Sequence, residues 1–545
     1  MISRDPLTEY TPLQYAPQGD NSIITQFEMH AIEDLGLLKM DLLGLKNLTI
    51  IEDALRLIEE IKGEKINISN ISFEDPATFK ILQAADTTGV FQLESSGMRR
   101  YLKEIKPTEL EDIIAMISLY RPGPMELIPQ YIKRKFGKER VVYLHHSLEP
   151  VLKNTYGIMI YQEQLMAGAR ALAGLSLSEA DILRKAIGKK IRSLLMEQKD
   201  KIINGAIKNG VKKEIAEQFW ALVEPFDKYG FNRSHATCYA VIAFQTAYLK
   251  AHYPVEFYAA LLNADSGDVE RIAFLISEAK KAGIEILPPD VNKSYSKFAP
   301  DEKNIRFGML AIKNVGQNIV DAIVAERQKG GPFKNFMEFI SRVEHKDLNK
   351  KSLESLMKCG ALDSLGIERN VGLTNIETIV SFASTLRKSK LGNQNALFGH
   401  SVSQNALKLS PAEPATSKEK LKWEKELLGL YISDHPLNEH RESINNSGAK
   451  PIKFILSKDY DMDYLPKPKI AGIITKIHKI NTKLGQPMIF ATIADFDGVM
   501  EVIVFSDTLA KSTALWEEDK LVLVSGKISW RDGETKMICE TVKQL

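Results

Sequence analysis

Apolar positions along the chain predict a helical body followed by a β-rich end. Helical periodicity dominates from about residue 75 to 285, and shorter helices are predicted within 290–365. Before this body, apolar residues at intervals of three and four predict a helix that ends at Gly63: Leu48, Ile51, Leu55 and Ile58. From 467 to 545, β-branched segments separated by Gly or Asp turns predict several short strands and a small barrel.

A short apolar run, residues 37–43, precedes the first helix and predicts a buried strand. Three of its side chains would face the core: Leu38, Met40 and Leu42. Side chains two apart share one face of a strand, so Lys39 and Asp41 would stand side by side. One interpretation is an ion pair, or a turn fixed by Asp41. The other is a Mg²⁺ site in which Asp41 holds the ion while Lys39 neutralises substrate charge. These residues alone leave both open.

Periodicity weakens in part of the segment between the helical body and the β-rich end, over residues 366–420. Within it, "LSPAEPATS" at 409–417 predicts a linker. Earlier in the same region "GNQNALFGH", 392–400, is too polar to bury its apolar pair locally. It suits a short peptide that docks into a partner's groove, with Leu397 and Phe398 as anchors and Gln394 at the rim. A small cluster packed under a neighbouring domain is the alternative.

Composition excludes several classes of protein. The 545 residues are 44% hydrophobic and 26% charged, with a net charge of +2, so any basic surface must be local. Three separated cysteines form no CxxC pair, which argues against a disulfide framework or structural zinc and fits a reducing compartment. The N-terminal residues contain no apolar signal region, and no stretch approaches membrane-spanning length. These features indicate a soluble, cytoplasmic, multidomain protein without a membrane partner.

Basic residues are concentrated in "ADILRKAIGKKIRSLL", which includes Arg184 and Lys185. On one continuous helix Lys185, Lys189 and Arg192 would share a face. That face could grip a triphosphate or a nucleic-acid backbone. A solvated charged face is the alternative.

Polar and aromatic groups crowd the start of a strongly apolar helix in "YGFNRSHATCYAVIAFQTAYLKAHYP", residues 229–254. The group comprises Tyr229, Asn232, Arg233, Ser234, His235 and Tyr239. Free N–H donors at a helix start can cradle phosphate. The alternative is an N-cap by Ser234 with His235 satisfied nearby.

The stretch "IRFGMLAIKNVGQNIVDAIVAERQKGG", 305–331, predicts a helix, a tight turn and a second helix. Such a helix–hairpin–helix contacts DNA through backbone N–H groups, independently of base sequence. Four residues form the predicted turn: Lys313, Asn314, Val315 and Gly316. Asn314 stands where glycine is usual, and asparagine tolerates positive φ better than most residues. An ordinary helical hairpin is the alternative.

Taken together and in this order, the segments resemble the bacterial replicative DNA polymerase III alpha subunits, the family C polymerases. The motifs that carry the resemblance run through nearly the whole chain: "GLLKMDLLGLKNLTII", "TTGVFQLESSGMRRYL", "ISLYRPGP", "TYGIMIYQEQLM", "ADILRKAIGKK", "YGFNRSHATCYAVIAFQTAYLKAHYP", "ILPPDVN" and "LLGLYISDHPL".

The resemblance implies a multidomain α+β fold. Its expected domains are the C-terminal part of a polymerase palm (residues 1–60), helical fingers (61–288), a helix–hairpin–helix region (289–365), a linker and clamp-binding region (366–466) and an OB-type barrel (467–545). The resemblance also implies template-directed addition of dNTPs to a primer 3′-hydroxyl by a two-metal mechanism. The implied partners are primer–template DNA, dNTPs, the sliding clamp, a clamp loader and a proofreading subunit.

Residue roles follow from the same resemblance. Asp41 matches the third of three aspartates that hold two Mg²⁺ ions, and Lys39 matches the lysine near the primer terminus. Six basic residues match positions associated with the phosphates of the incoming nucleotide: Arg121, Arg184, Lys185, Lys189, Arg233 and His235. Five residues match the internal clamp-binding motif: Gln394, Asn395, Ala396, Leu397 and Phe398.

The chain departs from the family pattern chiefly because the Asp-x-Asp motif that carries the first two aspartates has no counterpart here. The family's N-terminal phosphoesterase-like domain, the first half of the palm and the thumb have no counterpart either, and Lys185 stands where the family often has a second arginine. The expectation is therefore an incomplete polymerase that is inactive by itself. Two competing hypotheses are a non-catalytic protein that binds DNA and tethers it to the clamp, and an accessory family C paralogue. The clamp motif favours the replicative form over the accessory one.

Overall fold

The computed structural model describes residues 1–17, 22–40, 44–188, 192–227, 230–391, 407–457, 460, 466–481, 485–496, 498–531 and 534–545. Near the N-terminus a small hairpin and two helices are formed: β1 (Leu13–Tyr15), β2 (Ile23–Thr25), α1 (Met29–Asp34) and α2 (Lys46–Lys62). The predicted end of α2 is confirmed, because Gly63 caps it with a left-handed φ of 69°. Its buried face is rotated from the predicted one, since Leu48 is exposed whereas Ile50, Ala54 and Leu57 are buried.

The predicted buried strand at 37–43 is wrong for the part that the structure describes. Leu38 forms one isolated bridge with Ile2, and the exposed fractions of Leu38 and Met40 are 57% and 52%. A buried strand needs neighbours along both edges. Within residues 1–17, 22–40 and 44–188, Ile2 is the one residue that pairs with this segment in β geometry.

The central region is helical, as predicted. Its helices are α3 (Pro76–Ala84), α4 (Ser96–Ile105), α5 (Leu110–Leu119), α6 (Ile128–Lys135), α7 (Glu149–Leu152), α8 (Gln162–Ala173), α9 (Leu177–Gly188), α10 (Arg192–Lys208), α11 (Lys213–Val223), α12 (Arg233–His252), α13 (Pro254–Ala264) and α14 (Val269–Lys281). One apolar core joins α3, α4 and α5 to α12, and a second joins α8 to α11. The last turns of α12 pack with α2 and α13 in a third core.

A small sheet and shorter helices follow: β3 (Ile286–Leu287), β4 (Ala299–Asp301), β5 (Asn304–Arg306), α15 (Gln317–Gly330), α16 (Phe336–Arg342), α17 (Lys350–Lys358), α18 (Arg369–Thr374), α19 (Ile376–Leu391), α20 (Ser417–Leu428), α21 (Arg441–Asn446) and α22 (Ile452–Ile455). The sheet has the order β3-β5-β4. The helix predicted to precede the hairpin at 313–316 is wrong: its place is taken by β5 and the single 3₁₀ turn Met309–Ala311.

The predicted linker at 409–417 contains no helix or strand before Ser417, and hydrogen bonds tie it to the residues flanking α18. The Asn375 side chain accepts from the Ser410 N–H at 2.8 Å and donates to its carbonyl at 2.9 Å. The Ala415 N–H donates to the Glu368 carboxylate at 2.8 Å, and Ala415 is buried. Polar residues that suit a linker thus form an extended strap, held by hydrogen bonds to distant side chains.

The predicted barrel is confirmed. Its elements are β6 (Lys469–Asn481), β7 (Pro487–Ala494), β8 (Val499–Val504), α23 (Ser506–Ser512), β9 (Leu521–Arg531) and β10 (Glu534–Gln544). The strands close in the order β10-β8-β7-β6-β9, with β8 and β10 parallel and the other pairs antiparallel. Alternate side chains of these strands fill the interior, and closure leaves no free edge to pair with other chains.

Candidate nucleotide and DNA site

Two loop segments meet in space at the start of α12. The Gln162 N–H donates to the Phe231 carbonyl at 2.9 Å, and the Phe231 N–H donates to the Ile160 carbonyl at 3.2 Å. Gly230 has to be glycine here, since a Cβ atom would lie 2.2 Å from the Phe226 ring. The pairing fixes the entrance of α12 beside the start of α8.

The N-terminus of α12 is capped by Asn232 rather than by Ser234. The Asn232 side chain accepts from the His235 N–H at 2.8 Å. The Arg233 N–H donates to the Glu163 carboxylate at 3.0 Å. Two of the four N–H groups that a helix start leaves free are therefore occupied by the chain itself. Side chains, more than the backbone, are the groups available to a ligand at this position.

Cationic and aromatic side chains form a continuous row across this entrance. The Arg121 guanidinium lies 3.9 Å from the centre of the Phe231 ring, and Phe231 lies 5.5 Å from His235. His235 is 4.3 Å from Tyr239, which is 5.0 Å from Phe91. We call these five residues the stacking row. Arg121 and His235 are exposed and the others are half-buried, so the row offers aromatic faces and positive charge together, a combination suited to bases and phosphates.

Arg233 lies beside the row, but its charge is already paired. Its guanidinium donates to the Glu111 carboxylate at 2.5 Å and lies 5.8 Å from the Tyr161 ring centre. Because the Arg233 side chain is 42% exposed, a phosphate could reach it, but only in exchange for Glu111. Glu111 and Glu163, two residues that the sequence did not single out, thus position this arginine.

Two other predicted phosphate ligands lie on a different helix. Arg184 and Lys185 of α9 both pair with Asp181, at 2.8 and 2.9 Å. Hydrogen bonds from Lys185 and Arg184 lower the pKa of Asp181. Lys189 lies outside the described residues, as does Tyr229. Residues 189–191, between α9 and α10, lie outside the described residues. The face shared by Lys185, Lys189 and Arg192 therefore stays a prediction.

Asp41 lies outside the described residues, so its predicted pairing with Lys39 is untested. The Lys39 ammonium is exposed and lies 3.7 Å from the Met29 sulfur. Among the residues that are described, no group of three or more His, Cys, Asp or Glu side chains is placed to hold a metal ion.

The hairpin at Lys313–Gly316 has the geometry that its sequence predicts at the turn. Asn314 adopts a left-handed φ of 70°, and its side-chain amide donates to the Ser355 hydroxyl at 3.2 Å. Val315 is buried and anchors the turn. A Cβ atom added to Gly316, the N-cap of α15, would meet no atom within 4 Å, so the space beside this residue is open. N–H groups at the start of a helix are suited to meet a phosphate.

One outer face of the barrel also combines charge and aromatic surface. His478 of β6 and Phe490 of β7 are directly opposite in the strand register, and Lys476 is opposite Thr492. These four residues line a shallow depression together with Glu501 and Lys536, which pair at 2.7 Å. The Lys476 ammonium contacts Glu270 of α14 at 2.9 Å. The clamp-motif residues 394–398 lie outside the described residues.

Models of known protein families match several regions of the chain that contribute residues to these candidate surfaces. Family models match at residues 47–210 (bacterial DNA polymerase III alpha subunit finger domain), 1–44 (bacterial DNA polymerase III alpha NTPase domain), 283–371 (helix-hairpin-helix motif) and 469–545 (OB-fold nucleic acid binding domain). No helix within the described ranges is both long and apolar enough to cross a membrane.

Curated relatives align with the whole chain. The DNA polymerase III subunit alpha of Borreliella burgdorferi is 39% identical, that of Thermus aquaticus 39% and that of Bacillus subtilis 40%. The chain spans 47%, 44% and 48% of their respective lengths, which is less than half of each. The resemblance seen in the sequence motifs is thereby confirmed: over its whole length the chain is similar to bacterial DNA polymerase III alpha subunits.

Proposed function

We propose that this chain forms the nucleotide- and template-handling part of a replicative DNA polymerase, which adds dNTPs to a primer 3′-hydroxyl under the direction of a template. The observation that carries this proposal is the stacking row at the entrance of α12, with Arg121 at one end and Arg233 beside it. A base stacked on an aromatic side chain gains about 1–3 kcal/mol, whichever base it is. Base selection would then come from the template.

Nucleotide binding to a complex of the full chain with a dideoxy-terminated primer–template tests this proposal. Titration of a labelled dNTP should show at least about tenfold weaker binding for Phe231→Ala, because both the Arg121 contact and the His235 contact are lost. Phe274→Ala is the matched control, since Arg271 lies 5.2 Å from the Phe274 ring centre on α14, outside the row. Equal affinity of the two variants would contradict the proposal.

Mg²⁺ coordination by Asp41 is a proposal that rests on the family resemblance. Mg²⁺ takes six oxygen ligands, of which one or two protein carboxylates are usual. In the family that the sequence resembles, two further metal-binding aspartates belong to an Asp-x-Asp motif that has no counterpart in this sequence. We therefore expect the isolated chain to extend a primer negligibly. A gel-based primer-extension assay measures this, and robust synthesis would contradict it. In any assembly that does extend primers, Asp41→Ala should abolish incorporation while DNA binding persists.

DNA contacts outside the stacking row would come from the hairpin and the barrel. The start of α15, with open space beside Gly316, suits the phosphates of a duplex, and Lys313 is exposed nearby. His478 and Phe490 suit stacking of single-stranded bases, with Lys476 near the backbone. Duplex binding through the hairpin should weaken steeply with salt, because phosphate contacts release counterions.

The segment Gln394–Phe398 is proposed to dock into a sliding clamp, and a clamp loader and a proofreading subunit are proposed as further partners. Pull-down with the purified clamp should lose the complex when Leu397 and Phe398 are changed to alanine, since these two side chains would fill the groove. Unchanged retention would place docking elsewhere on the chain.

A second candidate function is a non-catalytic protein that binds DNA and tethers it to the clamp. The open hairpin and the barrel face favour it, because both could act without a nucleotide. It predicts that DNA binding is indifferent to dNTPs and to Phe231→Ala. The dNTP titration above therefore separates the two candidates.

A further inference from the structure

The loop Asp86–Glu94, between α3 and α4, contains a strained residue next to the stacking row. Gln92 has a φ of +62°, a left-handed conformation that non-glycine residues rarely adopt. It is exposed, and no hydrogen bond engages its side-chain amide among the residues that the structure describes. Its neighbour Phe91 is the last member of the row, 5.0 Å from Tyr239.

A buried lysine holds the first part of this loop in place through hydrogen bonds. Lys250 of α12 is 4% exposed, and its ammonium donates to the Asp86 carbonyl at 3.0 Å, the Asp86 carboxylate at 2.6 Å and the Thr88 carbonyl at 3.3 Å. Burial lowers the pKa of Lys250 even though Asp86 favours the charged form. A cation is thus withdrawn from water to hold this loop in one conformation.

Further contacts fix the part of the loop around Phe91. The Phe91 N–H donates to the hydroxyl of buried Thr246 at 3.1 Å. The Thr87 hydroxyl donates to the Leu93 carbonyl at 2.6 Å, and Glu94 pairs with Arg271 at 2.7 Å. Gly89 lies so close to Leu261 that a Cβ atom would be 2.4 Å from it. The surroundings therefore over-determine the loop, which is the condition under which local strain persists.

The contacts explain how the strain is maintained but not what Gln92 does there, since its side chain contributes to none of them. Residues held in this way are concentrated at ligand sites. Phe91 adds an aromatic face to the end of the row, and the free amide of Gln92 can both donate and accept hydrogen bonds.

We propose that Phe91 and Gln92 form a nucleobase-contacting element: Phe91 stacks on a base beside Tyr239, and the Gln92 amide hydrogen-bonds to the same base or to its pair. This inference rests on the proposed function and adds two residues that contact a base. The base can belong to the incoming nucleotide or to the end of the primer–template, and the two sources are distinguished below.

Photocrosslinking of the full chain tests the stacking contact. One arm uses 5-iodo-dUTP with a dideoxy-terminated primer–template, and the other uses a primer–template with 5-iodouracil at the primer 3′ end. We expect mass spectrometry to find the adduct on Phe91 or Tyr239, and the arm that produces it identifies the source of the base. Adducts confined to other residues in both arms would overturn the inference.

Variants test the amide. Gln92→Gly should keep or raise the unfolding midpoint, because glycine accepts positive φ without strain, while matched-dNTP binding weakens about fivefold through loss of one hydrogen bond. Glu302→Gly is the control, since Glu302 is also exposed with φ of 57° but lies in the β4–β5 turn. It should leave binding unchanged.

Comparison with Phe231→Ala separates this inference from the proposed function. If Phe231→Ala weakens dNTP binding while Gln92→Gly and Phe91→Leu leave both dNTP binding and primer–template binding unchanged, the inference is wrong and the proposed function stands. If none of the three variants alters binding, both are wrong. Weakening by Gln92→Gly and by Phe91→Leu, with the chain still folded, supports the inference.

Discussion

The entrance of α12 and the hairpin at Lys313–Gly316 each present a surface suited to DNA or nucleotides, but they are built differently. The hairpin is made by four consecutive residues. Two of them fix its turn: Asn314, which has a left-handed φ, and Val315, which is buried. The α12 entrance is assembled from segments far apart in the chain: Phe91 bonds to a residue 155 positions away, and Arg233 pairs with one 122 positions away. The conformation of the turn can therefore be predicted from its own four residues, although the helix predicted before it is wrong. The assembled site depends on the surrounding packing.

The largest expected effect follows from that dependence. Lys250→Met should destabilise the region around α12 by about 1–3 kcal/mol, because it leaves the carbonyls of Asp86 and buried Thr88 without a donor, whereas the exposed Asp86 carboxylate can be hydrated. Hydrogen exchange of residues 86–94 measures this. Lys476→Met is the matched control, since its pair with Glu270 is fully exposed and contributes little to stability. Equal protection of residues 86–94 from hydrogen exchange in the two variants would contradict this prediction.

A smaller effect is expected at the hairpin. Asn314→Ala should weaken duplex DNA binding about fivefold or more, because alanine disfavours the left-handed conformation by about 1–2 kcal/mol and loses the hydrogen bond to Ser355. Asn314→Gly accepts the same φ and should bind nearly as well as the parent chain. Fluorescence anisotropy with a labelled duplex measures both variants. If glycine fails as alanine does, the backbone geometry is not what the hairpin contributes.

The smallest effect concerns the ion pair that occupies Arg233. Glu111→Gln should strengthen dNTP binding by up to about fivefold, because phosphate would no longer compete with a carboxylate for the guanidinium, and a half-exposed pair is worth about 0–1 kcal/mol. The gain should vanish in the double variant Glu111→Gln, Arg233→Ala. A gain that survives the loss of Arg233 would show that Glu111 acts on another group.

The sequence predicted what depends on local rules. The end of α2 at Gly63, the left-handed Asn314 and the closed barrel are confirmed. Polar and aromatic residues around Phe231 marked the α12 entrance, but Phe91, Glu111 and Glu163 could not be found, since nothing in their own segments indicates the distant residues that they contact.

The wrong predictions have the same origin. Residues 37–43 have the composition of a strand, but the described part of the chain provides no sheet to receive them. The residues before the hairpin at Lys313–Gly316 have a helical pattern, but Ile305 and Arg306 pair with β3 and β4 instead. In each case a tertiary contact, or its absence, overrides local propensity.

The most direct test of the proposed polymerase role is the response of DNA binding to a matched nucleotide. A dideoxy-terminated primer–template is bound to the full chain, and its dissociation is followed with matched dNTP, with mismatched dNTP and with none. We predict slower dissociation with the matched dNTP alone, loss of that effect in Arg121→Ala, and its survival in Asn314→Ala. Dissociation that is the same with and without the matched dNTP, or a dNTP effect that survives Arg121→Ala, would contradict the account.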